Sequence, residues 1–131
     1  MQVEGGCHCG AVRFAAEVDE GDVSVCHCRD CQRLTGTAFR TSVTARGAPR
    51  LLAGPPNVYV KIGGDGSRLE QHFCGACGSP LFVRSEGGED WGVRWGALDG
   101  REALAPVRAI WRSREVPWLG RVPELPGPEE E

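Results

Sequence analysis

A chain of 131 residues is accounted for by one domain with a modest core. Its net charge is −3, with 15 basic against 18 acidic residues, and every basic residue but Lys61 is an arginine. The arginines form no block or stripe, which argues against a nucleic-acid surface, and no apolar run approaches the roughly 20 residues of a membrane span. The N-terminus carries no basic-then-apolar leader pattern, so a soluble cytoplasmic protein is expected.

In chain order, Cys7-His8-Cys9-Gly10 comes first, with Gly5, Gly6 and Gly10 able to bend the chain around the pair. Ala11 to Glu17 alternates and predicts a strand with Val12, Phe14 and Ala16 inward. Asp19 to Asp22 reads as a turn, and Val23-Ser24-Val25 as a short strand that delivers Cys26. Cys26-His27-Cys28-Arg29-Asp30-Cys31 then sets three thiols within six positions. Asp30 can cap a short helix over residues 31–35 that Gly36 ends, which places Cys31 in a first turn that favours a thiolate.

Strands are predicted over 39–44, 58–62, 68–73, 81–84, 91–98 and 107–112. The proline-bearing segment 47–56 reads as loop, and 63–67 and 87–90 as turns. The fold class is therefore all-β, a single domain over 1–131 with one short helix. Four prolines make the end of the chain irregular from about 114, and the acidic tail Glu129-Glu130-Glu131 is expected to be solvated.

Seven cysteines, an odd number, suit a disulfide framework poorly, and in a reducing compartment such clusters bind metal or do chemistry. Cys74-Gly75-Ala76-Cys77-Gly78 has the spacing of a zinc knuckle. One division takes Cys7, Cys9, Cys74 and Cys77 as a closed four-thiolate site. It leaves Cys26, Cys28 and Cys31 as a three-thiolate site with an open fourth position, the pattern of a catalytic zinc. A rival division joins Cys28 and Cys31 to Cys74 and Cys77 as a zinc ribbon, and spacing alone leaves both standing. The closed site would join positions 65 residues apart and clamp the N-terminal arm to the middle of the sheet.

Three stretches resemble the motifs of the glutathione-dependent formaldehyde-activating (GFA) family: Gly6 to Phe14, Cys26 to Gly36, and Phe73 to Leu81. Gly96-Ala97-Leu98-Asp99 and Pro117-Trp118 also fit, so the resemblance runs from Gly6 to about Pro126. It implies a small, zinc-stapled, β-tent-like fold of short antiparallel strands. It also implies the four-and-three division, with structural zinc on Cys7, Cys9, Cys74 and Cys77 and a second, catalytic zinc on Cys26, Cys28 and Cys31. Two zinc ions per chain are expected, the second one labile. The implied activity is that of a carbon–sulfur lyase joining glutathione and formaldehyde as S-hydroxymethylglutathione, with small-molecule thiol and aldehyde as partners.

The chemistry expected is thiohemiacetal formation or its reversal. A free thiol, with a pKa near about 8.5, is mostly protonated at neutral pH. Three thiolates weaken the Lewis acidity of an ion, which favours delivery of a thiolate over activation of the carbonyl. Cys28 is the ligand read as able to leave the metal. His8 and His27 are either proton relays or packed turn residues, and His72 is expected to face away from the knuckle. Arg29 and Arg33 either hold substrate carboxylates or are solvated. Among the four tryptophans, Trp118 is assigned to a pocket wall and the strand tryptophans to the core. Two other functions fit the same thiols: a non-catalytic zinc module for a protein or small molecule, and a redox sensor using Cys26, Cys28 and Cys31.

Overall fold

One long strand organises the fold. β1 (Gln2–Gly6) precedes β2 (Arg13–Cys26), a strand of 14 residues that changes partners halfway. The first half of β2 pairs antiparallel with β1 on one side and with β4 (Arg50–Ala53) on the other. Its second half pairs antiparallel with β3 (Arg40–Ala45) and parallel with β9 (Arg108–Ile110). The sheet continues from β3 to β8 (Trp91–Arg94), β7 (Pro80–Ser85), β6 (Arg68–Phe73) and β5 (Asn57–Ile62), each pair antiparallel. α1 (Arg29–Thr35), the one α-helix among the described residues, joins β2 to β3. This computed structural model describes residues 1–130; Glu131, the last residue of the acidic tail read as solvated, lies outside them.

The architecture is mostly antiparallel β with one short helix, as the alternation of the sequence requires, and four points differ in detail. Residues 19–22 continue β2 instead of turning; the register shifts between Val18 and Val23, where the strand passes from one set of partners to the other. Inside the expected loop, Arg50–Ala53 forms β4, an exposed strand between Pro49 and Pro55 held by the first half of β2. The strand expected over 91–98 stops at Arg94, and Trp95–Ala97 is a 3-10 turn. The cap of α1 is Cys28, not Asp30: its sulfur accepts the Cys31 N–H at 3.3 Å, and Asp30 pairs with Lys61 at 3.0 Å. A thiolate-capable sulfur satisfies an orphan N–H of the first turn as an oxygen cap would.

Alternation along the strands puts one face of the sheet in the core. Val12, Phe14, Val18, Val23, Val43, Leu81, Val93 and Leu98 are fully buried there, and Phe14 meets Phe82 edge to face at 4.7 Å. Cys7 and Cys74 belong to the same core. The opposite face around β2, β3 and β8 is polar: Ser24, Ser42 and Arg94 lie on it, and Cys26 pairs with Arg40.

Gly5 fixes how closely β1 approaches this core. It pairs with Phe14 and bridges to Leu98. A Cβ at Gly5 would overlap the Ala97 carbonyl oxygen and stand 2.6 Å from Phe14 Cζ. Gly5→Ala is expected to destabilise the protein by about 2 kcal/mol, read as a lower urea midpoint at unchanged slope. A midpoint equal to the parent's would mean that this close approach is not part of the folded state.

Candidate metal centres

The sulfurs gather into two groups. Those of Cys7, Cys9, Cys74 and Cys77 lie within 4.8 Å of one another, as do those of Cys26, Cys28 and Cys31. The ribbon division, Cys28 and Cys31 with Cys74 and Cys77, is not formed among the described residues. None of the seven cysteines is in a disulfide.

The four-sulfur group is made by two loops. Cys7 and Cys9 follow β1, where the Cys7 N–H donates to the Val12 carbonyl at 3.1 Å and closes the turn that Gly10 completes. Cys74 and Cys77 follow β6; Gly78, at φ +80°, donates to the Cys74 carbonyl at 2.8 Å and closes the knuckle. Cys7 and Cys74 are buried, and Cys9 and Cys77 are exposed. The Cys7–Cys9 and Cys9–Cys74 sulfurs stand 3.6 and 3.8 Å apart. Four sulfurs at about 2.3 Å from a tetrahedral ion stand about 3.8 Å apart, so the spacing fits zinc.

Charge gives the same answer. Hydrogen bonds from the Ser79 hydroxyl and backbone draw Cys77 down to about 5. Cys9 has the help of the Ala11 N–H, yet the neighbouring thiols push it up to about 11. Sulfurs that ionise early hold back the last ones, and a central cation removes that repulsion.

The three-sulfur group sits where β2 hands over to α1. Cys26 ends β2, Cys28 caps α1 and Cys31 lies in its first turn. Burial pushes Cys26 up, but the Cys28 N–H, the two neighbouring thiols and Arg40 outweigh it and lower its pKa. Cys31 rises to about 12, chiefly through burial, although the Arg40 guanidinium bonds to it. Arg94 lies on the same face. It is buried, it donates to Ser42 Oγ at 3.1 Å and Gln71 Oε1 at 2.7 Å, and it feels the attraction of all three sulfurs. Burial first, then repulsion from Arg40, brings it down to about 10.

Of the three thiols, Cys28 borders an open groove of about 550 Å³, with Arg29, Lys61, Trp111 and Arg114 among its walls. Trp111 is more than half exposed and holds φ +55°, the left-handed region, at a cost of order 1 kcal/mol for a non-glycine residue. Its segment is pinned to the cysteine loop: the His27 N–H donates to the Ile110 carbonyl at 3.1 Å. Gln32 Nε2 bridges the carbonyls of His27, at 2.8 Å, and Arg114, at 3.1 Å.

The histidines divide by environment. His8 is exposed, and its N–H donates to Ser79 Oγ at 3.0 Å. His27 is buried beside Phe39, with Nε2 3.7 Å from Glu115 and Nδ1 without a hydrogen-bond partner. His72 packs among Glu70, Phe82 and Trp91. Trp118 borders a shallow cavity of the C-terminal segment, with Arg121, Glu124 and Leu125, and no cysteine is in its wall. Arg33 is exposed in the last turn of α1. Arg40 and Arg94 have no part in the sequence reading of the site, and Trp111, expected in the core within a strand over 107–112, is exposed beyond the end of β9 at Ile110. Only the pairing of Cys26 with Arg40 and of Ser42 with Arg94 reveals the first two, and a left-handed tryptophan has no sequence signal.

A family model described as "Glutathione-dependent formaldehyde-activating enzyme" matches residues 2–114. A Halomonas elongata protein named "Putative glutathione-dependent formaldehyde-activating enzyme" is 34% identical over 88 residues, covering 63% of this chain and 56% of the relative. The chain thus spans about half the length of that relative. A crystal structure of a Rhodobacter sphaeroides protein is similar at 28% identity and a TM-score of 0.62, covering 81% of this chain and 98% of that one.

Proposed function

This chain belongs to the glutathione-dependent formaldehyde-activating family, and from that premise we propose that it is a zinc-dependent carbon–sulfur lyase or synthase. On this reading it forms or cleaves a thiol–aldehyde adduct of the S-hydroxymethylglutathione kind. The observation that carries the reading is a three-sulfur group, separate from a four-sulfur group, with one of its members, Cys28, bordering an open groove. Cys7, Cys9, Cys74 and Cys77 take the structural role, and Cys26, Cys28 and Cys31 the catalytic one. Cys26, Cys28 and Cys31 would hold the zinc, which when bound would supply the positive charge that favours the thiolate form of a thiol substrate.

The chain's own residues do the rest. α1 and the end of β2 hold the three sulfurs, and the groove beside Cys28 admits the two reactants. The substrate sulfur's electron pair attacks the aldehyde carbon and forms the S–C bond. The C=O π pair moves to oxygen, which takes the proton that the thiol gave up. Nothing is oxidised or reduced; in the reverse step the S–C bond breaks, its electron pair returns to sulfur, the C=O bond re-forms and the hydroxyl proton goes back to the thiol. All seven cysteines are unpaired, in keeping with a reducing compartment such as the cytoplasm. No helix is long and apolar enough to cross a membrane among the described residues.

The test is zinc per chain after purification under reducing conditions, followed by formaldehyde and glutathione mixed with the protein. Two zinc ions per chain and adduct formation above the spontaneous rate are expected. One zinc and a spontaneous rate would overturn the reading.

A further inference from the structure

Trp111 holds a backbone conformation that its own packing does not stabilise. Among the described residues it alone, glycines apart, has a positive φ, at +55°. Bulky side chains are out of place in the left-handed region, and such strain persists only where the surroundings impose it. Here they do so from both sides. Before Trp111, the Ile110 carbonyl accepts the His27 N–H at 3.1 Å. After it, the Arg114 carbonyl accepts from Gln32 Nε2 at 3.1 Å. His27 and Gln32 bracket the stretch from Cys28 to Cys31, so the strained residue is clamped to the loop that carries these sulfurs. Burial does not offset the strain, because Trp111 is 60% exposed. Trp91 and Trp95 differ. Trp91 packs on His72 at 5.2 Å and lies under Arg84 at 4.8 Å, and Trp95 donates Nε1–H to the Leu104 carbonyl at 2.8 Å under Arg101 at 5.6 Å. Among the described residues no aromatic ring or guanidinium packs on Trp111 in this way. What its side of the chain borders is the groove of Cys28.

We infer that Trp111 is a substrate-binding residue, held by the two clamps in the wall of the Cys28 groove so that its indole packs on the bound thiol. The inference rests on the thiol–aldehyde reading above and adds to it a residue outside the cysteine motifs. A molecule that covers the indole removes apolar surface from water, a gain that the protein alone does not have. A tryptophan suits the role, because it offers a large contact area and has only two side-chain torsions to immobilise. Packing of this kind acts on substrate and transition state alike. Its loss therefore falls on KM more than on kcat.

The experiment compares the zinc-loaded parent with Trp111→Phe, Trp111→Ala and Trp111→Gly. Glutathione is titrated without aldehyde, and binding is read by calorimetry and by tryptophan fluorescence. Saturable binding to the parent is expected, about tenfold weaker in Trp111→Ala and Trp111→Gly and less weakened in Trp111→Phe, which keeps a ring. The fluorescence change on binding should be lost in Trp111→Phe. With formaldehyde added, KM for glutathione should rise about tenfold in Trp111→Gly while kcat changes much less. Melting temperature separates this role from a structural one. Glycine suits the left-handed region, so Trp111→Gly should melt about 2 °C above Trp111→Ala and within that margin of the parent. At an ordinary backbone position the order of glycine and alanine is the reverse. Unchanged affinity in Trp111→Gly, an undiminished fluorescence change in Trp111→Phe, or a Trp111→Gly protein that melts below Trp111→Ala would overturn the inference. If the inference alone is wrong, the parent turns over and Trp111→Gly has the parent's KM. If the lyase reading alone is wrong, no thiol is turned over, yet glutathione binds and its binding depends on Trp111.

Discussion

Cys28→Ser is expected to lower the zinc content from two ions per chain to one and to reduce adduct formation by at least about a hundredfold, with the fold unchanged. The substitution separates two roles that this residue combines. As the cap of α1, Cys28 accepts the Cys31 N–H at 3.3 Å, and serine is among the preferred residues for that position. A serine hydroxyl therefore keeps the helix. It does not supply a thiolate, and two sulfurs remain where three stood. Cys28 is the thiol that borders the groove, so on the proposed reading the loss falls at the groove that admits the reactants. Far-UV circular dichroism should match the parent's, and so should the midpoint of unfolding once the parent's second site is emptied of zinc, whereas Cys28→Ala, which also removes the cap, should cost about 1 kcal/mol more. Two zinc ions and an unchanged rate in Cys28→Ser would remove Cys26, Cys28 and Cys31 from the chemistry.

The same residue marks how far the sequence could be read. The cysteine spacings marked each local pair and triplet, because C-x-C, C-x-x-C and C-x-C-x-x-C are short-range patterns and a tight turn suffices to express them; that Cys7 and Cys9 join Cys74 and Cys77 was left open by spacing and implied by the family resemblance. Strands with clear alternation, such as 58–62, were legible for the same reason. What escaped depends on partners distant in the chain. Asp30 has the chemistry of a cap, but Lys61, brought up by β5, takes its carboxylate, and the sulfur at Cys28 serves instead. Residues 19–22 have turn composition, and they form an irregular stretch inside β2: the partners on either side, β1 and β4 before it and β3 and β9 after it, hold the flanking residues, and the register with β3 shifts across it. β9 pairs parallel to β2 for three residues, a register that alternation cannot specify. Arg40 and Arg94 look like any surface arginine until β3 lies between β2 and β8.

Cys74→Ser should have the opposite profile to Cys28→Ser: loss of the fold before loss of the chemistry. Cys74 is 1% exposed and sits in the hydrophobic core with Cys7. Its backbone already has partners, the N–H on the Ser79 carbonyl at 3.0 Å and the carbonyl on the Gly78 N–H at 2.8 Å, so the knuckle itself does not depend on the sulfur. What depends on it is the join to Cys9, 65 residues away, which ties the loop after β1 to the loop after β6. Zinc in small finger peptides contributes roughly 10–16 kcal/mol of apparent binding energy, while a whole domain of this size is stable by only about 5–15 kcal/mol. Losing even about 4 kcal/mol of that would lower the melting temperature by about 15 °C. The expected result is a chain without zinc at the four-cysteine site, with a melting temperature lower by at least that amount and fast amide exchange in β1. A strong chelator should bring the parent protein to the same state. The two substitutions together make the division of labour testable. A Cys74→Ser protein that melts like the parent but no longer turns over, beside a Cys28→Ser protein that unfolds, would require the structural and catalytic roles of the two sulfur groups to be exchanged.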